Sequence, residues 1–391
     1  MGAARFEGRV PARCGLAIGC AGAGSKSRSE RMTNHDDMAE FWRGRRVLLT
    51  GHTGFKGAWM SLWLAELGAE VTGYALPAAG EPNLWSVLKP AIPGSSRSTI
   101  GDIRDATFGD AVARIDPQVV IHMAAQAFVR ESYRDPLATY ATNVMGTAAL
   151  LQACRQLNAL ECVVIVTSDK VYENRGGAHA FVEGDRLGGH DPYSNSKACA
   201  ELVTASFRDS FFADGAPLAT ARAGNVIGGG DWSQERLIPD CVRALQLGQP
   251  VSLRYPDAVR PWQHVLEPLS GYLLLAQALV RAPEKTPRAV NFGPDPASFC
   301  TVSAVVDTFG TRFAGKPGWV RDPTPQPPEA QGLTLSSRLA AQALGWRPRL
   351  DIGTSLSWAA DWYAAYAAGT NMLEFSKAQI ARYRDLMKQA P

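Results

Sequence analysis

The sequence predicts an α/β protein with a doubly wound parallel sheet and a smaller mixed lobe toward the C-terminus. Short apolar runs alternate with helical patterns between residues 46 and 223, a glycine-rich turn follows the first run, and glycine and proline become frequent after Gly224. The 391 residues, 46% of them hydrophobic, are enough for a large core.

The elements of the sheet follow from the apolar runs. Residues 46–50 form a short apolar run that predicts the first strand, and residues 58–67 carry apolar positions at helical spacing. Parallel strands joined by helices need right-handed crossovers, so this alternation favours a doubly wound sheet. The further predicted elements are strands at 70–76, 119–122, 162–167 and 217–223, with a possible strand ending at 101–103, and helices at 138–157, 193–212, 240–247, 269–280 and 371–391.

Ligands of such sheets bind at the carboxyl ends of the strands. We therefore expect one crevice, lined by the residues that directly follow four of the strands. These residues are Gly51, Ala124, Ser168 and Gly224.

Three parts are predicted along the chain. Residues 1–40 are expected to be a disordered extension, or a start assigned too early with Met32 as the true start; a weak signal-peptide core at residues 15–24 is the alternative. Residues 41–225 are expected to form the cofactor-binding domain, with later returns to its sheet, and residues 226–391 mainly a substrate-binding lobe. Pro239 and Pro268 are expected to interrupt the helical pattern in that lobe.

Composition excludes several classes of function. The net charge of +3, with acids and bases mixed along the chain, gives no reason to propose nucleic acid as a partner. No apolar run reaches the ~20 residues that a membrane-spanning helix needs. The seven cysteines lack metal-ligand spacing, so we expect no metal site and free thiols in a reducing cytoplasm.

A glycine-rich turn lies between the first strand and the first helix of the sheet. Its glycines allow a tight turn, the approach of a pyrophosphate and close helix packing, which indicates a Rossmann-type dinucleotide site. The residues of this turn that we expect to contact the cofactor are Gly51, Thr53, Gly54, Phe55, Lys56 and Gly57.

The loop after the second strand does not decide between NAD and NADP. Residues 71–77 contain neither a ribose-binding acid nor an arginine for a 2′-phosphate. Asp102, followed by Ile103, is a candidate adenine contact, with a solvated loop acid as the alternative.

Tyr193 and Lys197 lie one helical turn apart, so both side chains share a face. A lysine beside a tyrosine is expected to lower the phenol pKa, which would make Tyr193 a base for a sugar hydroxyl. Ser168, Asp169 and Lys170 follow a strand end and add a second acid and base, although a solvated loop pair is the general alternative for such charges.

Arginines of the C-terminal lobe suit a diphosphate because the guanidinium binds phosphate with two hydrogen bonds. Arg236 and Arg260 are the candidates, with surface arginines as the alternative. His264 has no evident metal partner, and a packed or substrate-contacting histidine is expected.

At this point the sequence resembles the extended short-chain dehydrogenase/reductase superfamily and, within it, the CDP-glucose 4,6-dehydratases. The resemblance runs from about residue 41 to about residue 363. The segments that carry it are residues 51–57, 122–126, 140–147, 167–170, 191–197, 221–232 and 260–268. Lys170 stands where dehydratases of dTDP- and GDP-sugars have a glutamate, and sugar epimerases lack the acid/base pair.

The resemblance implies an NAD cofactor, a CDP-hexose substrate, loss of water and a homodimer formed through helices 138–157 and 193–212. It adds Ala124, Ala125 and Gln126 to the cofactor contacts. The substrate ligands that it implies are Gln126, Asn225, Arg236, Leu237, Arg260 and His264.

The implied mechanism gives each catalytic residue a role. Tyr193 takes the proton of the 4-hydroxyl while NAD takes the C4 hydride, Ser168 hydrogen-bonds the same oxygen, and Lys197 holds the nicotinamide ribose. Lys170 then removes the C5 proton and Asp169 protonates the departing 6-hydroxyl, before the hydride returns to C6. Lys170 must therefore be neutral and Asp169 protonated. Another nucleotide-sugar 4,6-dehydratase, a 4-epimerase and a non-catalytic NAD-binding regulatory protein are the competing interpretations.

Overall fold

A computed structural model describes residues 34–88, 97–177, 179–313, 318–324 and 333–389. Its centre is a seven-stranded sheet in which every neighbouring pair is parallel, in the order β12-β7-β5-β4-β1-β2-β3. The strands are β1 (Arg46–Thr50), β2 (Glu70–Ala75), β3 (Arg97–Ile100), β4 (Val119–His122), β5 (Cys162–Val166), β6 (Ala180–Phe181), β7 (Leu218–Ala223), β8 (Val226–Ile227), β9 (Val251–Leu253), β10 (Val259–Pro261), β11 (Gln263–His264), β12 (Ala289–Phe292), β13 (Phe299–Thr301), β14 (Trp319–Arg321) and β15 (Thr334–Leu335).

The helices cover both faces of the sheet and build the C-terminal lobe. They are α1 (Asn34–Trp42), α2 (Phe55–Glu66), α3 (Leu84–Leu88), α4 (Phe108–Ile115), α5 (Val129–Arg134), α6 (Pro136–Tyr140), α7 (Gly146–Cys154), α8 (Pro192–Phe211), α9 (Leu237–Gln246), α10 (Leu266–Arg281), α11 (Val302–Phe313), α12 (Arg338–Leu344), α13 (Ile352–Ala367) and α14 (Met372–Lys388).

Side chains alternate across the sheet, so it carries two cores. Leu49 and neighbouring strand residues pack on one face with Trp59 of α2 and Leu273 of α10. Leu48 packs on the other face with Phe108 of α4, among others. Burial on both faces explains why β4, β5 and β7 are buried throughout their length and read as continuous apolar runs. The predicted doubly wound α/β fold is thus confirmed.

The predicted extension overlaps an ordered helix. Helix α1 begins at Asn34, and Met38 and Trp42 are fully buried, because this helix packs against α10 and α14. The expected boundary at residue 40 is therefore wrong for residues 34–40. The remainder of that segment, residues 1–33, lies outside the described residues.

Two prolines expected to interrupt the helical pattern lie inside helices instead. Pro239 is the third residue of α9, and Pro268 is the third residue of α10. The first N–H groups of a helix have no partner within it, so a proline there loses no hydrogen bond.

The helix predicted over residues 138–157 is divided in the structure. Helix α6 leads into a π-helical turn at Ala141–Met145, and α7 follows directly. Asn143 in this turn is buried; its amide accepts a bond from Gln126 N–H at 2.8 Å and donates to Ser196 Oγ at 2.9 Å. The extra residue of the wide turn thus lets Asn143 join the β4 loop to α8.

The C-terminal lobe returns to the sheet before it ends. Strand β12 pairs with β7 at the sheet edge, while α9, β9, α11 and α13 pack around one another beside the sheet. Among the residues that the structure describes, no helix has both the length and the apolar character needed to cross a membrane.

Candidate active site

A cavity of about 600 Å³ opens at the carboxyl ends of the central strands. The residues after β1, β4, β5 and β7 line it from the sheet side, and the loops around α9 and β10 line it from the C-terminal lobe. Nearly all the predicted site residues are among its lining, from both halves of the chain: Gly51, Thr53, Gly54, Phe55, Lys56, Gly57, Asp102, Ile103, Ala124, Ala125, Ser168, Asp169, Lys170, Tyr193, Lys197, Asn225, Arg236, Leu237 and Arg260.

The glycine-rich turn is shaped for a close-approaching ligand. Gly51 has a φ of +75°, and a Cβ there would lie 2.7 Å from Ala124 N. A Cβ at Gly57 would lie 2.1 Å from Gly51 O, whereas one at Gly54 would meet nothing closer than 3.4 Å. Gly54 caps α2 without any side-chain hydrogen bond to the helix, so its N-terminal N–H groups can bind a pyrophosphate. These residues fit a dinucleotide cofactor.

The adenine end of that site contains Asp102 in an ion pair. Arg104 donates to its carboxylate, with Nη2 to Oδ2 at 2.5 Å, and this bond lowers the pKa of Asp102. Asp102 remains part of the cavity lining, so its predicted contact with adenine remains a prediction.

Ser168, Asp169 and Lys170 form a tight turn after β5. Ser168 Oγ donates to Asp169 Oδ1 at 2.9 Å and accepts from Lys170 N–H at 3.2 Å. Asp169 is buried, and burial raises its pKa against the opposing effects of Lys170, Ser168 and nearby cations. This is the direction that an acid role for Asp169 requires.

A buried ion pair holds this turn from behind. Glu201 of α8 binds Arg222 of β7 through two hydrogen bonds of 2.9 and 2.8 Å. The same carboxylate accepts from the hydroxyls of Thr167 and Thr220. Thr167 directly precedes Ser168, so this network fixes where the turn begins.

Tyr193 and Lys197 both reach the cavity from α8, and their expected coupling stays a prediction. Burial raises the pKa of Tyr193 to about 12, and a hydrogen bond with Ser168 opposes this only in part. Lys197 Nζ donates to the carbonyl of Val166 at 3.1 Å, and burial lowers its own pKa to about 8. The lysine is thus engaged with the end of β5, and burial has the largest effect on the phenol pKa.

Lys56 has an interaction that sequence reasoning missed. Its Nζ donates to the Tyr272 hydroxyl at 3.1 Å. Burial, together with Arg236 and Lys197, lowers the pKa of Lys56 to about 7. The available signal for this interaction was a lysine within a glycine-rich turn that otherwise needs small or apolar residues.

The C-terminal lobe brings arginines to the cavity. Arg236 lies 3.7 Å from Asp231 and stacks near the Phe128 ring, and Arg260 lines the same space. Arg254, which sequence reasoning missed, also lines it. The signal for Arg254 was a basic residue directly after the short strand β9.

Two predicted substrate ligands do not reach the cavity lining. The Gln126 side chain donates to Thr139 Oγ1 at 2.9 Å and to Phe128 O at 3.0 Å, so it serves its own loop. His264 is fully buried between the rings of Trp59 and Trp358, and burial lowers its pKa to about 3. The structure therefore makes His264 a core residue, and the prediction that it contacts substrate is wrong.

Comparison with known proteins agrees with this geometry. The family described as GDP-mannose 4,6 dehydratase matches residues 48–357. The chain is 46% identical over 350 residues to a CDP-glucose 4,6-dehydratase of Salmonella typhimurium, which covers 88% of this chain and 97% of that relative. A dTDP-glucose 4,6-dehydratase of Xanthomonas campestris is 28% identical over 340 residues, covering 81% of this chain and 92% of the relative.

Solved structures share the fold. An epimerase, Mth375, from Methanothermobacter thermautotrophicus has a TM-score of 0.74 at 22% identity, covering 85% of this chain and 96% of that one. A dTDP-glucose 4,6-dehydratase of Bacillus anthracis in complex with NAD has a TM-score of 0.68 at 21% identity, covering 84% and 99%. Together with the family match, the 46% identity over nearly the full length of a relative means that this chain belongs to the GDP-mannose 4,6 dehydratase family of nucleotide-sugar dehydratases.

Proposed function

We propose that this protein is an NAD-dependent CDP-glucose 4,6-dehydratase, a lyase that converts CDP-D-glucose to CDP-4-dehydro-6-deoxy-D-glucose. The observation that carries the proposal is the convergence of two acid/base sets, Tyr193 with Lys197 and Asp169 with Lys170, on one cavity with a dinucleotide turn. The 46% identity to a CDP-glucose 4,6-dehydratase supports the choice of substrate.

The first set suits oxidation at C4. NAD, held by the glycine-rich turn, would supply reversible hydride acceptance, so that the oxidation at C4 is offset by a later reduction at C6. Tyr193 takes the proton of the 4-hydroxyl, and Ser168 hydrogen-bonds the same oxygen. Lys197, which donates to the carbonyl of Val166 at the end of β5, would bind the ribose of the nicotinamide.

The second set suits the loss of water. A ketone at C4 acidifies the C5 proton, which Lys170 removes. Asp169 donates a proton to the departing 6-hydroxyl, and its raised pKa supports this role because a buried carboxyl holds its proton to higher pH. The product water therefore carries a proton from Asp169.

The arginines of the C-terminal lobe suit the diphosphate of the substrate. Arg236 and Arg260 line the same cavity as the glycine-rich turn, together with Asn225 and Leu237. Their guanidinium groups offer paired N–H donors to phosphate oxygens.

Relatives in the comparison include a UDP-glucose 4-epimerase of Rhizobium meliloti, 25% identical over 341 residues. An epimerase needs the first acid/base set only, whereas Asp169 and Lys170 form a second set within the same cavity. A non-catalytic NAD-binding protein would have no need for either set. Both alternatives are therefore less well supported than a dehydratase.

The proposal includes a homodimer in the cytoplasm. Large apolar side chains are exposed on α8 and on the helices and turn that precede it, and these would be covered by a second copy. They are Leu137, Met145, Leu202 and Phe211. The five described cysteines are free, as expected in a reducing compartment.

Mass spectrometry of CDP-glucose incubated with the purified protein and NAD tests the function. We expect the sugar nucleotide to lose one water with no net formation of NADH. A product of unchanged mass would contradict a dehydratase. Parallel incubations with UDP-, GDP- and dTDP-glucose then test the nucleobase, and faster water loss from one of them would contradict the choice of CDP-glucose.

A further inference from the structure

After one turnover, the proposed proton transfers do not return every group of the enzyme to its starting protonation state. This inference rests on the proposed function. The hydride that leaves C4 returns to C6, and the proton that Lys170 removes from C5 is replaced there. The proton of the 4-hydroxyl, however, stays on Tyr193, while the proton that leaves with water comes from Asp169. Each turnover therefore ends with one proton too many on Tyr193 and one too few on Asp169.

The Ser168 hydroxyl lies between these two groups. Its Oγ donates to Asp169 Oδ1 at 2.9 Å, and it lies close enough to the Tyr193 phenol to lower the pKa of that phenol. The Lys170 N–H donates to the same Oγ at 3.2 Å and holds it in place. All three side chains of the series are buried, with exposed fractions of 9% for Tyr193, 5% for Ser168 and 3% for Asp169, which limits exchange with water.

We propose that Ser168 carries the surplus proton from Tyr193 to Asp169 after each turnover. The O–H bond of Tyr193 breaks as a new bond forms to Ser168 Oγ, and the original Ser168 O–H bond breaks as one forms to Asp169. Tyr193 is then the phenolate and Asp169 the acid, which are the states that the next turnover needs. No charge leaves the site, and no further reactant is required.

The hydrogen bonds set the direction of this transfer, which runs against burial at Tyr193, because burial raises the pKa of that phenol to about 12. The direction of the hydrogen bond between Ser168 and Asp169 suits the transfer, because Ser168 already donates to the carboxylate that must receive the proton. Burial raises the pKa of Asp169, so the carboxyl holds a proton better than in water. Arg236 favours the phenolate that remains on Tyr193.

The test compares single and multiple turnover in Ser168→Ala and Ser168→Thr, with NAD and CDP-glucose. Threonine keeps the hydroxyl and is the matched control. In Ser168→Ala the first turnover is itself slower than in the unchanged enzyme, because Ser168 also hydrogen-bonds the 4-hydroxyl. We still expect about one product per active site, followed by a phase at least tenfold slower than that first turnover, which formate or imidazole accelerates. Ser168→Thr should show the same rate in both regimes, as the unchanged enzyme does.

Two results would overturn the transfer. The first is a Ser168→Ala enzyme, with unchanged melting temperature and NAD binding, whose multiple-turnover rate equals its single-turnover rate without any effect of added acid. The second comes from the unchanged enzyme in mixtures of H₂O and D₂O. If two protons move in the transfer, the multiple-turnover rate should depend on the D₂O fraction along a curve, and the rate of the first turnover should depend on it differently. Identical dependences would contradict the transfer.

The failure of the proposed function looks different. If the unchanged enzyme releases no water from CDP-glucose, the proposed reaction is wrong and the transfer falls with it. If the unchanged enzyme releases water and Ser168→Ala shows neither a burst nor rescue, only the transfer is wrong.

Discussion

At Asp169, burial and hydrogen bonding act against each other, and burial has the larger effect on the pKa. The same balance holds at Tyr193, where burial outweighs the bond from Ser168. Both groups are thus biased toward their protonated forms. For an acid this is the useful state, whereas for a base it means that a positive charge or a proton acceptor must assist.

The role of Lys170 in water loss can be tested separately from the oxidation at C4. In Lys170→Ala we expect C4 oxidation to continue, visible as absorbance of reduced nicotinamide, while water loss falls by about 10²- to 10⁴-fold because no base removes the C5 proton. Mass spectrometry measures the water loss, with Lys285→Ala on an exposed segment as control. Unchanged water loss would exclude Lys170 as the base.

Lys56 should lower the free energy of unfolding by an amount that depends on pH. Its pKa of about 7 in the folded chain lies below the usual 10.5, so folding disfavours its charged form. The penalty is complete below pH 7, falls as the pH rises from 7 to 10.5, and is absent above that range.

We therefore expect Lys56→Met to unfold at higher urea concentration than the unchanged protein at pH 6, with a smaller difference at pH 9. A matched Lys285→Met variant on the surface should show no such trend. A difference that grows with pH would contradict the assignment.

At the scale of elements, the turn between β1 and α2 depends on contacts that leave no room for side chains. Helix α2 can begin at Phe55 because Gly57 lies against the carbonyl of Gly51. Gly51 in turn lies against the loop after β4. The approach of the ends of β1 and β4 to the first turn of α2 thus creates the cofactor site and makes the turn intolerant of substitution.

Gly57→Ala should destabilise the fold by up to about 3 kcal/mol, because its Cβ would lie 2.1 Å from a carbonyl oxygen. Gly54→Ala is the matched control, since its Cβ would meet the same oxygen at 3.4 Å. Urea unfolding measures both free energies. Equal stability of the two variants would show that the turn relaxes more easily than its geometry indicates.

Much of this fold could be predicted from the sequence because buried parallel strands read as apolar runs, as residues 162–167 did. The glycine spacing and the strand ends likewise predicted the cavity lining. The starts of α9 at Leu237 and of α10 at Leu266 could not be predicted, because a proline in a first turn looks like a break until the N-cap is known. The direction of Gln126 could not be predicted either, since it depends on Asn143 and the π-helical turn.

At the scale of the whole molecule, helices from both halves of the chain cover the sheet. The outer surface of two of these helices, α6 and α8, nevertheless exposes large apolar side chains. Leu137, at 80% exposed, and Leu202, at 58%, belong to α6 and α8, which pack against each other. A surface of this kind favours association with a second copy.

The proposed dimer predicts a specific sensitivity. Leu202→Glu should weaken self-association at least tenfold, about 1.4 kcal/mol, because a charge would be buried against an apolar surface. Leu247→Glu, directly after α9 and also strongly exposed, is the control and should leave the association unchanged. Sedimentation velocity measures both, and a Leu202→Glu protein that remains as dimeric as the control would contradict the interface.

The position of β12 at the edge of the sheet has a consequence for synthesis on the ribosome. Strand β7 is buried along its whole length, but its outer neighbour is translated only about sixty residues later. At ~10 residues per second, β7 would wait on the order of several seconds with an open apolar edge. Nascent chains that stall in this interval are the forms of the protein that most need a chaperone, and fragments ending before Ala289 should aggregate.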